Sequence, residues 1–353
     1  MTELEELISK AQSAGASDIH LVCGLPVKCR IDGEMESLTP DVLTREDCET
    51  YARALAGDEY DSMRDIGEKD FSRSFACGAR TRINLFRQRG AVSAAIRILS
   101  DRIPEIEELR LPAVMSEFPE YRSGIVLITG ETGSGKSTTL AALLNRINRT
   151  RRGHIITLED PIEYIYTPDK CVINQREIGT DTRSYADGLR AILREDPDVI
   201  LIGEMRDLAT IETAITAAET GHLVFATLHT NSAADSVDRM VNVFPEGQQK
   251  QIRLQVSTCL RAVVSQQLVV KKGGHGRQVA CEVMVVNSAI KNLIREGKTP
   301  QIDSFITMNA QNGSITMDAA LRKLVQEGAI SEETALAAAR DREAFAAPAG
   351  RRY

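Results

Sequence analysis

Residues 130–138, GETGSGKST, decide the fold of this chain. They follow an apolar run at 125–128 and precede an apolar helical segment, so a strand, a glycine-rich loop and a helix come in the order of a P-loop. Backbone N–H groups of such a loop turn onto a phosphate, the helix N-terminus adds partial positive charge, and Lys136 adds a full one. A nucleoside triphosphate is therefore the expected ligand, with Ser137 placed to hold Mg²⁺. The predicted phosphate-binding residues are Gly130, Thr132, Gly133, Ser134, Gly135, Lys136, Ser137 and Thr138.

Composition and charge narrow the function classes. The 353 residues carry a net charge of −7, which gives no general attraction to nucleic acid or to anionic lipid. The seven cysteines form no CxxC pair, so neither a zinc site nor a disulfide scaffold is indicated. The longest apolar runs are strand-sized and the N-terminus is polar rather than a signal peptide, so no membrane span and a cytoplasmic location are expected.

Residues 1–105 are expected to form a small α+β domain. They contain strand-like runs at 18–22, 27–31 and 91–98 and one helical stretch near 44–57. Prolines 104, 112 and 119, set among charged residues, predict a linker over 106–120.

Residues 121–285 are expected to form a parallel sheet with helices. Four apolar runs of strand length recur there, at 125–129, 154–158, 199–202 and 223–228. Residues 286–353 look helical, and the last fifteen residues have no core pattern, so that end is expected to fray. The predicted fold class is thus α/β, with two domains and a C-terminal helical region.

Carboxylates follow two of the predicted strands. Glu159, Asp160 and Glu163 come after the run at 154–158, at the sheet edge where nucleotides bind in such folds. One of them is a candidate to orient the attacking water. The run at 199–202 ends near Glu204, as in a Walker B element, so Glu204 is a candidate to hold Mg²⁺ directly or through water.

Two histidines bracket the predicted strand at 223–228. His222 and His229 are seven residues apart and face opposite sides of a strand, so they are not expected to share a metal ion. A γ-phosphate sensor or a subunit contact suits them better. His229 is the stronger candidate because it lies at the carboxyl end of the strand.

The first domain is rich in arginine. Arg80, Arg82 and later Arg97 exceed what solvation of strands requires. They either form a solvated face or reach the triphosphate from a neighbouring domain or subunit.

These motifs together resemble a known family. The segments GETGSGKSTT at 130–139, ITLEDPIEY at 156–164, VILIGEMRD at 199–207 and TAAETGHLVFATLHT at 216–230 resemble those of the secretion-superfamily hexameric ATPases. Within them the chain is similar to the PilT-type retraction ATPases of type IV pili, from ASDIHL at 16–21 to the helix near 289–296. The resemblance implies a PAS-like N-terminal domain, a RecA-like P-loop ATPase domain with C-terminal helices, and a hexameric ring.

The resemblance also implies roles for individual residues. Glu163 is the favoured general base, Glu204 the Walker B acid, and His222 and His229 the His box, all in a site that binds ATP and Mg²⁺. Arg80, Arg82 and Arg97 lie in the region from which such ATPases draw arginines towards the phosphates. The retraction-linked segment is Ala289, Ile290, Lys291, Asn292, Leu293, Ile294, Arg295 and Glu296, with Lys291 where the family has Arg. The implied partners are five further copies of the chain and the inner-membrane platform protein of the pilus.

Three alternatives stay open. Pilus-assembly and type II secretion ATPases share these motifs but usually carry an extra N-terminal domain and a four-cysteine insert. A RecA-like nucleic-acid motor is disfavoured because only 4% of the residues are aromatic and none is Trp. A protein that binds ATP but barely hydrolyses it is disfavoured by the set Glu163, Glu204 and His229.

Overall fold

A computed structural model of the chain describes residues 3–31, 33–99, 102–274 and 276–346. The chain divides into two compact units. The first unit is Met1–Arg102 with Pro161–Ile165, and the second is Ile103–Asp160 with Tyr166–Tyr353. Each unit has its own hydrophobic core.

The first unit is a six-stranded antiparallel sheet with helices packed on it, in the strand order β3-β2-β1-β6-β5-β4. Its strands are β1 (Asp18–Leu21), β2 (Pro26–Ile31), β3 (Glu34–Val42), β4 (Glu68–Ser74), β5 (Arg80–Gln88) and β6 (Ala91–Leu99). Its helices are α1 (Glu3–Ser13), α2 (Arg45–Ala56) and α3 (Tyr60–Ile66). This confirms the predicted α+β first domain.

Apolar alternation in the strands and caps on the helices explain these elements. Inward residues of β1 and β5, such as Ile19, Ile83 and Leu85, are fully buried, whereas their neighbours along the strand are not. The helix predicted near 44–57 is α2. It begins after Thr44, whose hydroxyl accepts from the backbone N–H of Asp47 while the Asp47 carboxylate accepts from the N–H of Thr44, a capping box.

The second unit is built on a seven-stranded sheet with the order β13-β12-β7-β11-β10-β8-β9. Neighbouring strands are parallel except for β12 and β13, which form an antiparallel pair. The strands are β7 (Gly124–Thr129), β8 (His154–Glu159), β9 (Val172–Glu177), β10 (Val199–Ile202), β11 (Leu223–Leu228), β12 (Leu260–Val270) and β13 (Arg277–Val285). The four strands predicted from apolar runs are β7, β8, β10 and β11, and the parallel sheet is confirmed.

Helices cover this sheet and continue beyond it. They are α4 (Lys136–Thr150), α5 (Tyr185–Ile192), α6 (Leu208–Glu219), α7 (Ala233–Asn242), α8 (Glu246–Cys259), α9 (Ser288–Glu296), α10 (Ile302–Met308), α11 (Met317–Gln326), α12 (Glu332–Ala338) and α13 (Arg342–Ala346). Strands β7, β10 and β11 are buried along their whole length, as parallel strands between helical layers are.

Parallel pairing brings several loops to one edge of the sheet. Thr129 at the end of β7 is opposite Leu228 at the end of β11, and Ile202 at the end of β10 is opposite both Ala226 and Leu158. The residues that follow these strand ends therefore share the carboxyl edge, where open α/β sheets bind ligands.

Two stretches expected to be loosely structured are packed. Within the predicted linker at 106–120, a 3₁₀ helix over Ala113–Glu120 has Met115 and Phe118 fully buried. In the tail expected to fray, Ala339 is buried and Phe345 packs on a small core formed by α11, α12 and strands β12 and β13. Residues 347–353 lie outside the described residues, and fraying of this end stays a prediction. Only single residues of this tail, such as Ala339 and Phe345, are seen to pack on the core, and single contacts produce no periodic pattern in the sequence.

Candidate nucleotide-binding site

The phosphate loop joins β7 to α4 at the carboxyl edge of the sheet. Gly130 has a φ of +137°, and a Cβ there would lie 2.3 Å from the carbonyl oxygen of Gln266 and 2.7 Å from Ser134 Oγ. Only glycine fits this position. The close approach folds the loop back so that α4 begins at Lys136 with its first N–H groups facing the loop.

Polar groups of the loop are arranged for an anion. The ammonium of Lys136 donates to the carbonyl oxygens of Gly130 and Glu131, at 2.8 Å each. Ser134 Oγ is buried, and within the described part of the chain it has no hydrogen-bond partner. An orphaned buried hydroxyl costs free energy, so its presence here indicates a ligand that satisfies it. A bound phosphate would accept hydrogen bonds from both the Lys136 ammonium and the Ser134 hydroxyl.

Two cavities flank the loop within the second unit. One has a volume of about 430 Å³ and is lined by residues 131–134 together with Asn231 and Arg340. The other, of about 360 Å³, is lined by Gly135, Thr138, Leu268 and residues 108–111. Both are of the size that small-molecule sites have. They are therefore candidate space for a ligand beside the loop.

Gln266 on β12 lines both cavities. Its Nε2 donates to Thr139 Oγ1 at 2.9 Å, while its buried Oε1 has no hydrogen-bond partner among the described residues. Sequence reasoning missed this residue because its partner Thr139 is 127 residues away. Gln266 stands between Ser265 and Gln267 in β12, so its local sequence does not distinguish it from its polar neighbours.

Glu204 follows β10 and forms a polar cluster at the same edge. Its Oε1 lies 2.7 Å from Arg206 Nε and 3.2 Å from His229 Nε2, and its Oε2 accepts from Arg206 Nη2 at 2.8 Å. Burial opposes ionisation, but the hydrogen bond from Arg206 and the charges of His229 and Arg206 together hold the pKa of Glu204 below its usual value. The carboxylate is therefore ionised at neutral pH. Sequence reasoning predicted Glu204 and His229 but missed Arg206.

The other acids of the edge differ in environment. Glu159 is buried and accepts hydrogen bonds from Thr157 Oγ1 at 2.6 Å and from Gln175 Nε2 at 3.2 Å. Tyr185, at the start of α5, lies near Asp160 and Glu204, and burial followed by these charges raises the pKa of its hydroxyl above the usual range. The hydroxyl therefore stays protonated as a donor towards acids. Tyr185 is a second edge residue that sequence reasoning missed.

Glu163 and the three arginines belong to the first unit. Glu163 is half-buried in the segment Pro161–Ile165, whose Ile162 carbonyl accepts from Arg80 Nε at 3.0 Å. Arg97 pairs with Asp18 at 2.9 Å and is directly opposite Arg82 across β5 and β6. Asp18 thus offsets the charge of Arg97, which faces a like charge on the neighbouring strand. The roles of these residues towards phosphate stay predictions.

His222 lies apart from the phosphate loop of its own unit. It precedes β11, and its backbone carbonyl accepts from Gly124 N–H at the start of β7, whereas the loop follows the other end of β7. A six-residue strand spans about 20 Å, so His222 is on the opposite edge of the sheet. Its Nδ1 is 2.8 Å from the Ala217 carbonyl oxygen, a local contact that ends α6. His222 is therefore not part of this edge within its own unit, and its predicted catalytic role stays a prediction.

The donors at the edge fit a magnesium ion that is bound mainly by nucleotide. Among the residues that the structure describes, no three His, Cys, Asp or Glu side chains are grouped to hold a metal. Mg²⁺ takes few protein ligands and completes its shell with phosphates and water. Ser137, in the first turn of α4, and Glu204 are the candidate protein donors, and Arg206 must release Glu204 before it can bind a metal directly.

The predicted retraction segment at 289–296 forms α9. The Asn287 side chain accepts from the Ile290 N–H at 3.0 Å and begins the helix, and Gly297 ends it with a φ of +68°. One face of the helix is core, formed by three buried residues, Ile290, Leu293 and Ile294. The exposed residues are Asn292, Arg295 and Glu296, and Lys291 is half-buried. A partner can contact only this second face.

Replacing Arg206 with Gln is expected to raise the pKa of Glu204, because burial then acts against fewer compensating charges. The acidic limb of the pH profile for kcat/KM of ATP hydrolysis should move to higher pH. Arg190→Gln, which removes an exposed arginine paired with Asp187 on α5, is the matched control and should leave the profile unchanged. If the acidic limb does not move in Arg206→Gln, the ionisation of Glu204 is not what limits turnover at low pH.

The loop, the parallel sheet and the acids at one edge define the class of protein: a P-loop nucleotide-binding protein of the RecA-like type. A family model described as "Type II/IV secretion system protein" matches residues 1–337. The chain belongs to this family.

Particular relatives match over nearly the full length. The type IV pilus retraction ATPase PilT of Pseudomonas aeruginosa is 43% identical over 97% of this chain and 100% of that protein. A twitching motility protein of Neisseria gonorrhoeae is 43% identical over 90% of this chain and 85% of that protein. A crystal structure of the pilus retraction motor PilT with bound ADP is 46% identical, with a TM-score of 0.91, and the match covers 98% of this chain and 99% of that one.

Among the residues that the structure describes, no helix combines the length and the apolar character needed to span a membrane.

Proposed function

We infer that this chain is the ATPase motor of type IV pilus retraction. The observation that carries the inference is a phosphate loop with Glu204 and His229 at the ends of neighbouring strands, in a chain that aligns with a retraction ATPase over 97% of its length. The reaction is hydrolysis of ATP to ADP and phosphate.

Each of the polar residues in the proposed mechanism has its own role in hydrolysis. Lys136 exchanges its two loop carbonyls for oxygens of the β- and γ-phosphates, which are stronger partners because they are charged. Ser137, together with Glu204 acting through water, would hold Mg²⁺, which would neutralise charge that develops on the phosphates. Glu204, ionised and held by Arg206 and His229, orients water at the γ-phosphate. Glu163 is proposed as the general base.

Coupling to force requires a second surface that senses the nucleotide. We propose that Arg80, Arg82 and Arg97 supply it, within a homohexamer in which ATP favours a closed interface. A ligand shifts an equilibrium only by its differential affinity for two states, so loss of the γ-phosphate opens the interface again. Six such sites acting in turn would move the platform protein of the pilus at the cytoplasmic side of the membrane.

Deleting the gene in its native host tests the direction of force. A retraction motor returns pilin from the fibre to the membrane, so its loss should raise the number of surface pili and stop twitching. A strain that carries Lys136→Ala should show the same phenotype as the deletion. Loss of surface pili instead would contradict retraction and identify an assembly ATPase, and unchanged pili and motility would contradict both.

Replacing Lys291 with Ala is expected to spare ATP turnover, within about twofold, and to impair twitching. The reason is that Lys291 lies on the partly exposed side of α9, whereas the buried side holds the fold. Turnover of the purified protein and motility in cells are the two measurements, with Lys250→Ala on the exposed side of α8 as the control. Equal loss of both activities in Lys291→Ala would show that this residue supports the enzyme rather than the coupling.

A further inference from the structure

Glu282 is a fully buried carboxylate in the middle of β13. Its Oε1 accepts from the backbone N–H of Ala233 at 2.8 Å, and its Oε2 is 3.0 Å from Arg340 Nη1. Burial raises the pKa of Glu282, although the charge of Arg340 and the bond from Ala233 act in the opposite direction. Burying a carboxylate costs folding free energy unless hydrogen bonds and opposite charges compensate for the lost solvation.

Arg340 comes from the end of the chain, between α12 and α13. Its Nη2 donates to the carbonyl oxygen of Asn231 at 2.8 Å, while its own backbone N–H donates to Asp318 Oδ1 at 2.8 Å. The guanidinium is thus held by Glu282 and the Asn231 carbonyl, and the backbone of Arg340 is anchored by Asp318 on α11. Its position is fixed by charge-assisted hydrogen bonds in a fork that lysine does not reproduce.

Glu282 and Arg340 both bind the backbone of one loop, residues 231–233. The Asn231 carbonyl accepts from Arg340, and the Ala233 N–H donates to Glu282. The pair therefore holds this loop through one backbone acceptor and one backbone donor. Glu282 also lies at the N-terminus of α7, where a negative charge is favourable. The segment begins two residues after His229, whose Nε2 is 3.2 Å from Glu204.

The loop 231–233 lies beside the candidate nucleotide site. Asn231 and Arg340 line the cavity of about 430 Å³ together with the phosphate-loop residues 131–134. The path from the buried carboxylate to the Walker B acid therefore runs through Arg340, the loop carbonyl and His229, all within the second unit.

We propose that Glu282 and Arg340 are positioning residues for ATP turnover, which fix the loop 229–233 and through it the imidazole of His229 against Glu204. This rests on the ATPase function proposed above. Because the pair holds a group that acts on the reacting phosphate rather than the phosphate loop itself, its loss lowers kcat and leaves the affinity for ATP almost unchanged.

The test is a double-mutant cycle on the full-length protein with Arg340→Gln, Glu282→Gln and the double variant. Each single change is expected to lower kcat about tenfold or more, with KM for ATP and binding of a fluorescent ATP analogue within about twofold. Residues that act as one unit are not additive, so the double variant should be no slower than the slower single variant. Arg340→Lys should recover less than half of the loss, because it restores the charge without the fork.

Arg342→Gln is the matched control. Arg342 lies two residues further on, is exposed on α13, and its Nη2 donates to the Ala337 carbonyl on α12 at 3.1 Å. It should keep the wild-type kcat. Should Glu282→Gln fail to fold, Arg340→Gln and Arg340→Lys still carry the test, since Arg340 is partly exposed.

Outcomes against this inference differ from outcomes against the ATPase. No turnover by the wild-type protein overturns the proposed function. An active wild type with unchanged kcat in Arg340→Gln overturns the positioning role alone. Parallel loss of kcat, ATP affinity and melting temperature, with additive effects in the double variant, also overturns it by assigning the pair to stability.

Discussion

Replacing Lys136 with Ala is expected to abolish ATP turnover, with a loss of at least about 100-fold in kcat/KM and a matching loss of nucleotide affinity. The side chain supplies the full positive charge of the phosphate loop, and its present partners, two backbone carbonyls, are ones that it can exchange for phosphate oxygens. The helix N-terminus and the glycine-rich backbone remain in the variant, so part of the anion site survives.

Binding of a fluorescent ATP analogue and steady-state phosphate release measure the two effects. Lys170→Ala, which removes an exposed lysine of the same unit, is the control and should behave as wild type. Thermal unfolding must be recorded alongside, because Lys136 also ties the two ends of its own loop. Undiminished nucleotide binding in a folded Lys136→Ala protein would remove this loop from the proposed site.

Replacing Glu163 with Gln is expected to lower turnover by about 10²- to 10⁴-fold while nucleotide binding persists, as for loss of a general base. Gln keeps the shape of the side chain and removes its capacity to take a proton. Single-turnover hydrolysis and analogue binding separate the chemical step from affinity.

Asp160→Asn is the informative comparison for Glu163. Asp160 belongs to the same acidic segment but to the second unit, beside Tyr185 and Glu204. If Asp160→Asn stops turnover and Glu163→Gln does not, the general base has been assigned to the wrong carboxylate.

Much of the fold was accessible from the sequence because its signals are local. The phosphate loop is marked by glycines, one of which admits no Cβ at all, and the buried parallel strands appear as short continuous apolar runs. Glu204 and His229 were predicted because each follows such a run, and parallel strands end at one edge.

The rest of the site depends on pairings that no local pattern records. The sheet order places β11 between β7 and β10, which the sequence order does not reveal. Gln266 meets Thr139 across 127 residues, and Arg340 meets Glu282 from a tail that was expected to fray. His222 precedes β11 and lies at the opposite edge from the phosphate loop of its own unit, so its predicted role stays a prediction.

If this chain hydrolyses ATP as a ring, turnover per subunit depends on protein concentration, and it should be measured with oligomer mass recorded in parallel. Turnover is expected to rise as hexamers form and to be negligible in the monomer, since the proposed arginines act from a second surface. Monomers that hydrolyse ATP as fast as hexamers would contradict the shared-interface account.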